Sequence, residues 1–176
     1  MYDGRHAIVD STGVRPGMVV SDIGAGNGLF TRLFAIEFGP RGKLYAVDIS
    51  RPFIENIERV NRELGISNVE GIVNSAKNVS LPSNSIDLAF ISDTYHHFEY
   101  PVSMLASIRH SLRRGGKMVI IDFRRDPAVS SNWVMGHVRA DRNRVIQEIT
   151  DAGFRFIEEK PILRSNYFLV FEKTPE

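Results

Sequence analysis

The chain has 176 residues, 22 Lys+Arg against 21 Asp+Glu, a formal net charge of +1 and no cysteine. That length suits one domain, 1–176, with room for a full core but not for two catalytic modules. A 43% hydrophobic content excludes a disordered chain, the even charge excludes a uniformly basic nucleic-acid coat, and the missing cysteines exclude disulfides, thiolate catalysis and Cys-ligated metal centres.

No stretch approaches the ~18–20 apolar residues of a membrane span. The start, MYDGRHAIVD, lacks the cationic and apolar regions of a signal peptide. A cytoplasmic domain is the expectation. The charge is uneven along the chain: Met1–Ser107 carries 9 basic and 12 acidic residues, whereas Arg109–Arg144 carries 9 basic and 3 acidic. Such a block is either a solvated surface or an attractor of anionic substrates.

Short apolar runs alternate with amphipathic stretches, which predicts βα units and a mainly parallel sheet. The first strand is Met18–Ile23, entered through Pro16-Gly17. A helix follows over Leu29–Phe38, stopped by Gly39-Pro40-Arg41-Gly42. Leu44–Asp48 is the second strand, and Ser50 with Pro52 opens a helix that runs through Ile54, Ile57, Val60 and Leu64 to Gly65. Val69–Val73 and Ile86–Ile91 read as the third and fourth strands. Tyr100–Leu112 is a helix ended by Gly115-Gly116, and Lys117–Asp122 is the fifth strand. Phe123–Ala140 has no period and contains Pro127 and Gly136, so it reads as a long connection. A helix over Arg142–Ala152 and two late strands, Phe154–Glu159 and Asn166–Phe171, complete the chain.

Asp22-Ile23-Gly24-Ala25-Gly26-Asn27-Gly28 lies where the first strand meets the first helix. Glycines there let backbone approach a ligand, and the helix start offers free N–H groups. A dinucleotide loop would need glycine or alanine at 29, where Leu29 stands, so a nucleoside ligand without pyrophosphate is favoured. Asp48, at the end of the second strand, has two acceptor oxygens suited to a ribose diol.

These residues resemble a class I S-adenosylmethionine-dependent methyltransferase. The glycine loop matches that family's first motif and Asp48 its ribose-binding acid. Ser85–Phe90 and Leu112–Ile120 match the segments around its fourth and fifth strands. The likeness covers about Val14–Phe171. It implies an α/β, Rossmann-like, doubly wound sheet in the order 3-2-1-4-5-7-6 with strand 7 antiparallel. It implies S-adenosyl-L-methionine as cofactor and S-adenosyl-L-homocysteine as product, held by Asp22, Gly24, Ala25, Gly26, Asp48, Ile49, Ser75, Ala76 and Asp93. The family's acid near adenine is absent, since Asn74-Ser75-Ala76 stands in its place. The branch is the small-molecule one, which includes quinone-biosynthesis enzymes.

Ser92–Phe98 follows the fourth strand, where the transferable methyl should lie. Asp93 suits either the cofactor's ammonium group, the reading preferred, or a general base. His96 is a candidate base, because its unperturbed pKa of ~6.5 suits neutral pH, or else a hydrogen-bonded packing residue. In an extended segment His96 and His97 point in opposite directions. A metal would need Asp93 and His96 joined by Asp122 or His137, and a metal-free mechanism is preferred over it. Tyr95, Arg124 and Arg125 are substrate candidates. The 123–140 connection with Trp133 and His137 is a candidate cover, or a loop whose Trp133 packs on the domain. The segment with Tyr2, Arg5 and His6 is a candidate lid.

The leading expectation is methyl transfer to a small acceptor, with an anionic one favoured by the basic stretch. Alternatives are an RNA methyltransferase using 109–144, and a non-catalytic S-adenosylmethionine-binding protein. The chain has no appended RNA module, no stacking-aromatic run within the basic block and no Asn/Asp-Pro-Pro-Tyr motif, all of which count against the RNA reading.

Overall fold

The computed structural model describes residues 4–128 and 130–175. A seven-stranded sheet runs through the domain: β1 (Val19–Ile23), β2 (Lys43–Asp48), β3 (Val69–Val73), β4 (Ile86–Ser92), β5 (Leu112–Phe123), β6 (Phe154–Glu159) and β7 (Asn166–Lys173). Its order is β3-β2-β1-β4-β5-β7-β6, with β7 antiparallel to both neighbours, as the resemblance implied.

The central strands are buried on both sides, which explains why they read as continuous apolar runs rather than alternating ones. In β5, Met118 and Ile120 join one core cluster while Val119 and Ile121 join the other. The first cluster includes Leu105 and Ile108 of α4 (Pro101–Ser111) with Val145 and Ile149 of α6 (Arg142–Asp151). The second includes Ile8 and Val9 of α1 (Arg5–Ser11) with Phe30 and Phe34 of α2 (Leu29–Phe38). Helix α3 (Arg51–Glu63) packs Ile54 and Ile57 on Ala25 and Ala46. Asp141 caps α6 by accepting the Arg144 N–H at 2.9 Å. Among the described residues no helix is long and apolar enough to cross a membrane.

Three expectations change. The N-terminal segment is a helix whose Ile8 and Val9 are buried in the core, so it is a docked element; Tyr2 lies outside the described residues. The Gly115-Gly116 pair does not end α4, which stops at Ser111. It sits in an irregularity of β5, where pairing with β4 jumps from Ile86↔Leu112 to Leu88↔Lys117. The 123–140 connection contains α5 (Asn132–His137), capped by Ser131, whose hydroxyl accepts the Val134 N–H at 3.3 Å.

Candidate active site

The order β2-β1-β4 reverses direction between β1 and β4, and a crevice opens at the carboxyl ends of such strands. Its floor is the loop after β1. Gly24 and Ala25 donate their N–H groups to the Val47 carbonyl at 2.8 and 3.1 Å, which ties this loop to β2. A Cβ on Gly24 would lie 2.3 Å from the Thr94 side chain, so the loop after β4 presses directly on the loop after β1. Gly26 has a left-handed φ of 53°, and a Cβ there would meet nothing within 4 Å, consistent with backbone laid bare to the crevice.

Asp48 is buried, and its carboxylate receives the Gly26 N–H at 2.9 Å and the Ser50 N–H at 2.8 Å, one on each oxygen. A carboxylate has about four lone-pair sites, so two of them remain for a ligand. Ser50 occupies the N-cap of α3, but its hydroxyl makes no capping bond.

A cleft of about 550 Å³ is lined by Gly24, Gly26, Asp48, Ile49, Asn74, Ser75, Ala76, Asp93, Thr94, His97, Phe98 and Met104, among others. A recess of about 220 Å³ adjoins it through Gly24, Gly26, Ser92 and Asp93, and is completed by Asp22, Ala25, Asn27, Leu29 and Phe30. The nine residues expected at the cofactor are thus all brought to these two connected spaces. Asn74 is an addition: its side-chain oxygen is buried without a partner while its amide donates to the Ser75 carbonyl at 3.0 Å. The only signal for it in the sequence is its place just after β3.

Two carboxyls of the recess carry raised pKa values. Burial, against a 2.6 Å hydrogen bond from Thr31, pushes Asp22 up to about 6. Burial and the nearby charge of Asp122 push Asp93 to about 6 as well. Asp93 holds a left-handed φ of 49°, unusual for a non-glycine residue, and accepts from the Asn166 amide at 2.9 Å. Asn166, the first residue of β7, reaches this site from 73 positions away, which no local pattern announces.

His96 is buried, and Asp122 engages it twice, through its backbone N–H at 3.0 Å and its ring Nδ1 at 2.7 Å. His96 does not line the cleft; its neighbour His97 does. The expectation that these two rings diverge is overturned. Tyr95–His97 is a 3-10 turn rather than an extended segment, and the ring centroids lie 4.0 Å apart. Burial and the neighbouring His96 and His137 lower the pKa of His97. Trp133 both packs and is exposed, stacking on His137 at 4.5 Å and meeting Phe123 edge-on.

The three substrate candidates lie elsewhere. Tyr95 is buried in the core with its hydroxyl donated to Glu148 at 2.9 Å. Burial and the Glu148 charge push its pKa far up. Arg124 pairs with Glu159 at 2.6 Å, and Arg125 donates to the Met135 carbonyl at 3.2 Å; both border a separate hollow with Asp141 and Arg142. Among the described residues, five of the nine basic side chains of the stretch are ion-paired, with Arg113 on Asp87, Arg124 and Arg142 on Glu159, and Arg139 and Arg144 on Glu148. The three acids that take these arginines, Asp87, Glu148 and Glu159, lie outside the 109–144 window and offset half of its imbalance of six charges.

Comparison with known proteins adds family and fold. Residues 15–160 match the model of a family described as a methyltransferase domain. The chain is 32% identical over 120 residues to the ubiquinone/menaquinone biosynthesis C-methyltransferase UbiE of Hydrogenovibrio crunogenus, covering 68% of this chain and 47% of that protein. It thus spans about half the length of the curated relatives it matches. A solved SAM-dependent methyltransferase from Aquifex aeolicus superposes with a TM-score of 0.87 at 21% identity, covering 96% of this chain and 88% of that one. The cyclase SpnF superposes with a TM-score of 0.84 at 14% identity, covering 98% and 80%. The same architecture therefore also stands under a different reaction name.

Proposed function

From the premise that the chain belongs to the class I S-adenosylmethionine-dependent methyltransferase family, we propose that this domain transfers a methyl group from that cofactor to a small acceptor in the cleft, operating in the cytoplasm. The observation that carries the proposal is Asp48, buried at the crevice with one lone-pair site of each oxygen already used by backbone and the others free for a ribose diol. The unpartnered Asn74 oxygen fits the adenine amine, and it compensates for the acid missing after β3. Gly24 and Gly26 supply the close floor, Ile49 apolar contact, and Ser75 and Ala76 the adenine edge.

When bound, the cofactor supplies a methyl carbon on a positively charged sulfur, open to in-line displacement by the acceptor's electron pair. The chain's own part is alignment. Asp93 sits where the cleft and recess meet, and its carboxylate suits the cofactor's ammonium group. It could instead take a proton from the acceptor, with a pKa of about 6 that leaves it mostly ionised at pH 7. The names of the relatives point to a biosynthetic C-methyl acceptor. The pairing of five arginines with Asp87, Glu148 and Glu159 reduces the charge that the RNA alternative would draw on in that stretch.

Calorimetry with S-adenosylhomocysteine tests this. The wild type should bind, and Asp48→Ala should weaken binding by about 10–100-fold or more, the range for losing hydrogen bonds to a charged group. No binding by the wild type would end the proposal. Asp93 has its own readout: if it is the base, transfer rises with pH through about 6 and Asp93→Asn removes that rise. If it holds the ammonium group, the variant weakens cofactor binding instead.

A further inference from the structure

Beside the cleft, on the side of β4 and β5, three imidazoles converge. His96 and His97 come from the 3-10 turn after β4, and His137 is the last residue of α5. One nitrogen from each lies within 4.8 Å of the other two. Ring centroids are 5.0 Å apart for His96–His137 and 5.1 Å for His97–His137. Three histidines with one position left open are the ligand set of catalytic rather than structural zinc sites.

The surroundings are those of a built site. Asp122 is fully buried and receives His96 Nδ1 at 2.7 Å, which fixes the ring and leaves Nε2 as its free nitrogen. A carboxylate behind a histidine ligand is the usual support for a bound metal, since it sets the tautomer and raises the ring's basicity. Asp122 is itself held by the His96 and Phe123 N–H groups at 3.0 and 2.8 Å, so it cannot swing away. Trp133, one turn earlier in α5, stacks on His137 and restricts that ring as well. His97 and His137 are both exposed, so an ion has an entry path.

We propose that His96, His97 and His137 bind a borderline divalent cation of the Zn²⁺, Co²⁺ or Ni²⁺ class, with Asp122 as the group that orients His96. Imidazole nitrogen suits these ions, whereas Mg²⁺ and Ca²⁺ call for oxygen ligands that this cluster lacks. Zn–N bonds of 2.0–2.1 Å in a tetrahedron require nitrogens roughly 3.4 Å apart. The ligand nitrogens, within 4.8 Å of one another, would close to that spacing as the ion draws the exposed His97 ring in and His137 turns within its stack on Trp133. His97 belongs both to the cluster and to the wall of the cleft, so the ion would stand at its acceptor end. There it would take an oxygen or nitrogen of the acceptor in its open position and favour the deprotonated, nucleophilic form. The acceptor's proton leaves to solvent or to Asp93, the electron pair so released forms the new bond to the methyl carbon, from that atom or from a carbon conjugated to it, and the carbon–sulfur pair departs with sulfur. This role rests on the methyl-transfer reading; the binding of the ion does not.

The test is titration of the chelator-treated protein with Co²⁺, followed by its visible ligand-field bands, and then competition by Zn²⁺. One ion per chain should bind. His97→Ala and His137→Ala should each weaken binding by about 100-fold or more, and Asp122→Asn by about 10–100-fold. The two histidines are exposed, so their variants should fold as the wild type does, and circular dichroism checks this. Absence of the bands, or binding unchanged in both histidine variants, would overturn the site. S-adenosylhomocysteine calorimetry on the same samples reads the other reading separately: Co²⁺ binding without cofactor binding keeps the site and removes its role in methyl transfer.

Discussion

The two sides of the crevice are built by different means. On the side of β1, β2 and β3 the polar contacts are mostly made to backbone: Asp48 to Gly26 and Ser50, and Gly24 and Ala25 to Val47. On the side of β4 and β5 they are long-range and between side chains: Asn166 to Asp93, Asp122 to His96, Tyr95 to Glu148. The first side presents backbone of the loop after β1 and one carboxylate, Asp48, to the crevice. The second is built from side chains that meet across the fold, so its arrangement depends on which residues stand at those positions.

The largest way to break this division is at the junction. Gly24→Ala forces a Cβ into Thr94 and puts a side chain at a φ of 75°. The left-handed penalty of about 1–2 kcal/mol adds to overpacking of about 1–3 kcal/mol, so urea denaturation should show a loss of roughly 3 kcal/mol with cofactor binding abolished. On the β4–β5 side, Glu148→Ala should be next. Although burial raises the carboxyl, hydrogen bonds from Arg139 and Tyr95 hold Glu148 down to about 2. Its contribution is therefore present above 4.5 and lost as pH falls towards 2. Denaturation at pH 7 should show a loss of about 2 kcal/mol, and wild type and variant should converge in acid.

Asp22→Asn should go the other way. The native state holds this proton more tightly than the unfolded chain does, so Asp22 costs stability as pH rises from 3.8 to about 6, and all of that cost is present at pH 7. The variant should be more stable by about 1–2 kcal/mol at pH 7 and lose most of that advantage by about pH 4. The smallest effect is Ser131→Ala, which removes the cap of α5. It should cost about 0.5–1 kcal/mol in the local opening of 132–137, read by hydrogen exchange, with little change elsewhere.

What could be read from the sequence follows the same division. Strands β1 to β5 announce themselves as apolar runs between turn residues, and the glycine loop and Asp48 lie at a spacing suited to a nucleoside, with Leu29 setting it apart from a dinucleotide loop. Helices α1 and α5 have seven and six residues, too few to display a helical period. The convergence of His96 and His97 depends on a 3-10 turn, which nothing in Asp93-Thr94-Tyr95-His96-His97 distinguishes from extended chain. The arginines seemed free because Glu148 and Glu159 are read as part of other elements. A charge count along the chain cannot see pairs such as Arg124–Glu159, 35 residues apart.

The contact between Gly24 and the Thr94 side chain sets a reference distance for the whole site. Loops on the two sides of a crevice usually keep some play, and ligands then settle their own separation. Here one loop rests on the other without room for a single added carbon. Whatever lies on Gly24–Gly26 and whatever approaches past Asp93–His97 are gauged against the same fixed surface. An acceptor entering the cleft would be measured in length and shape from that floor.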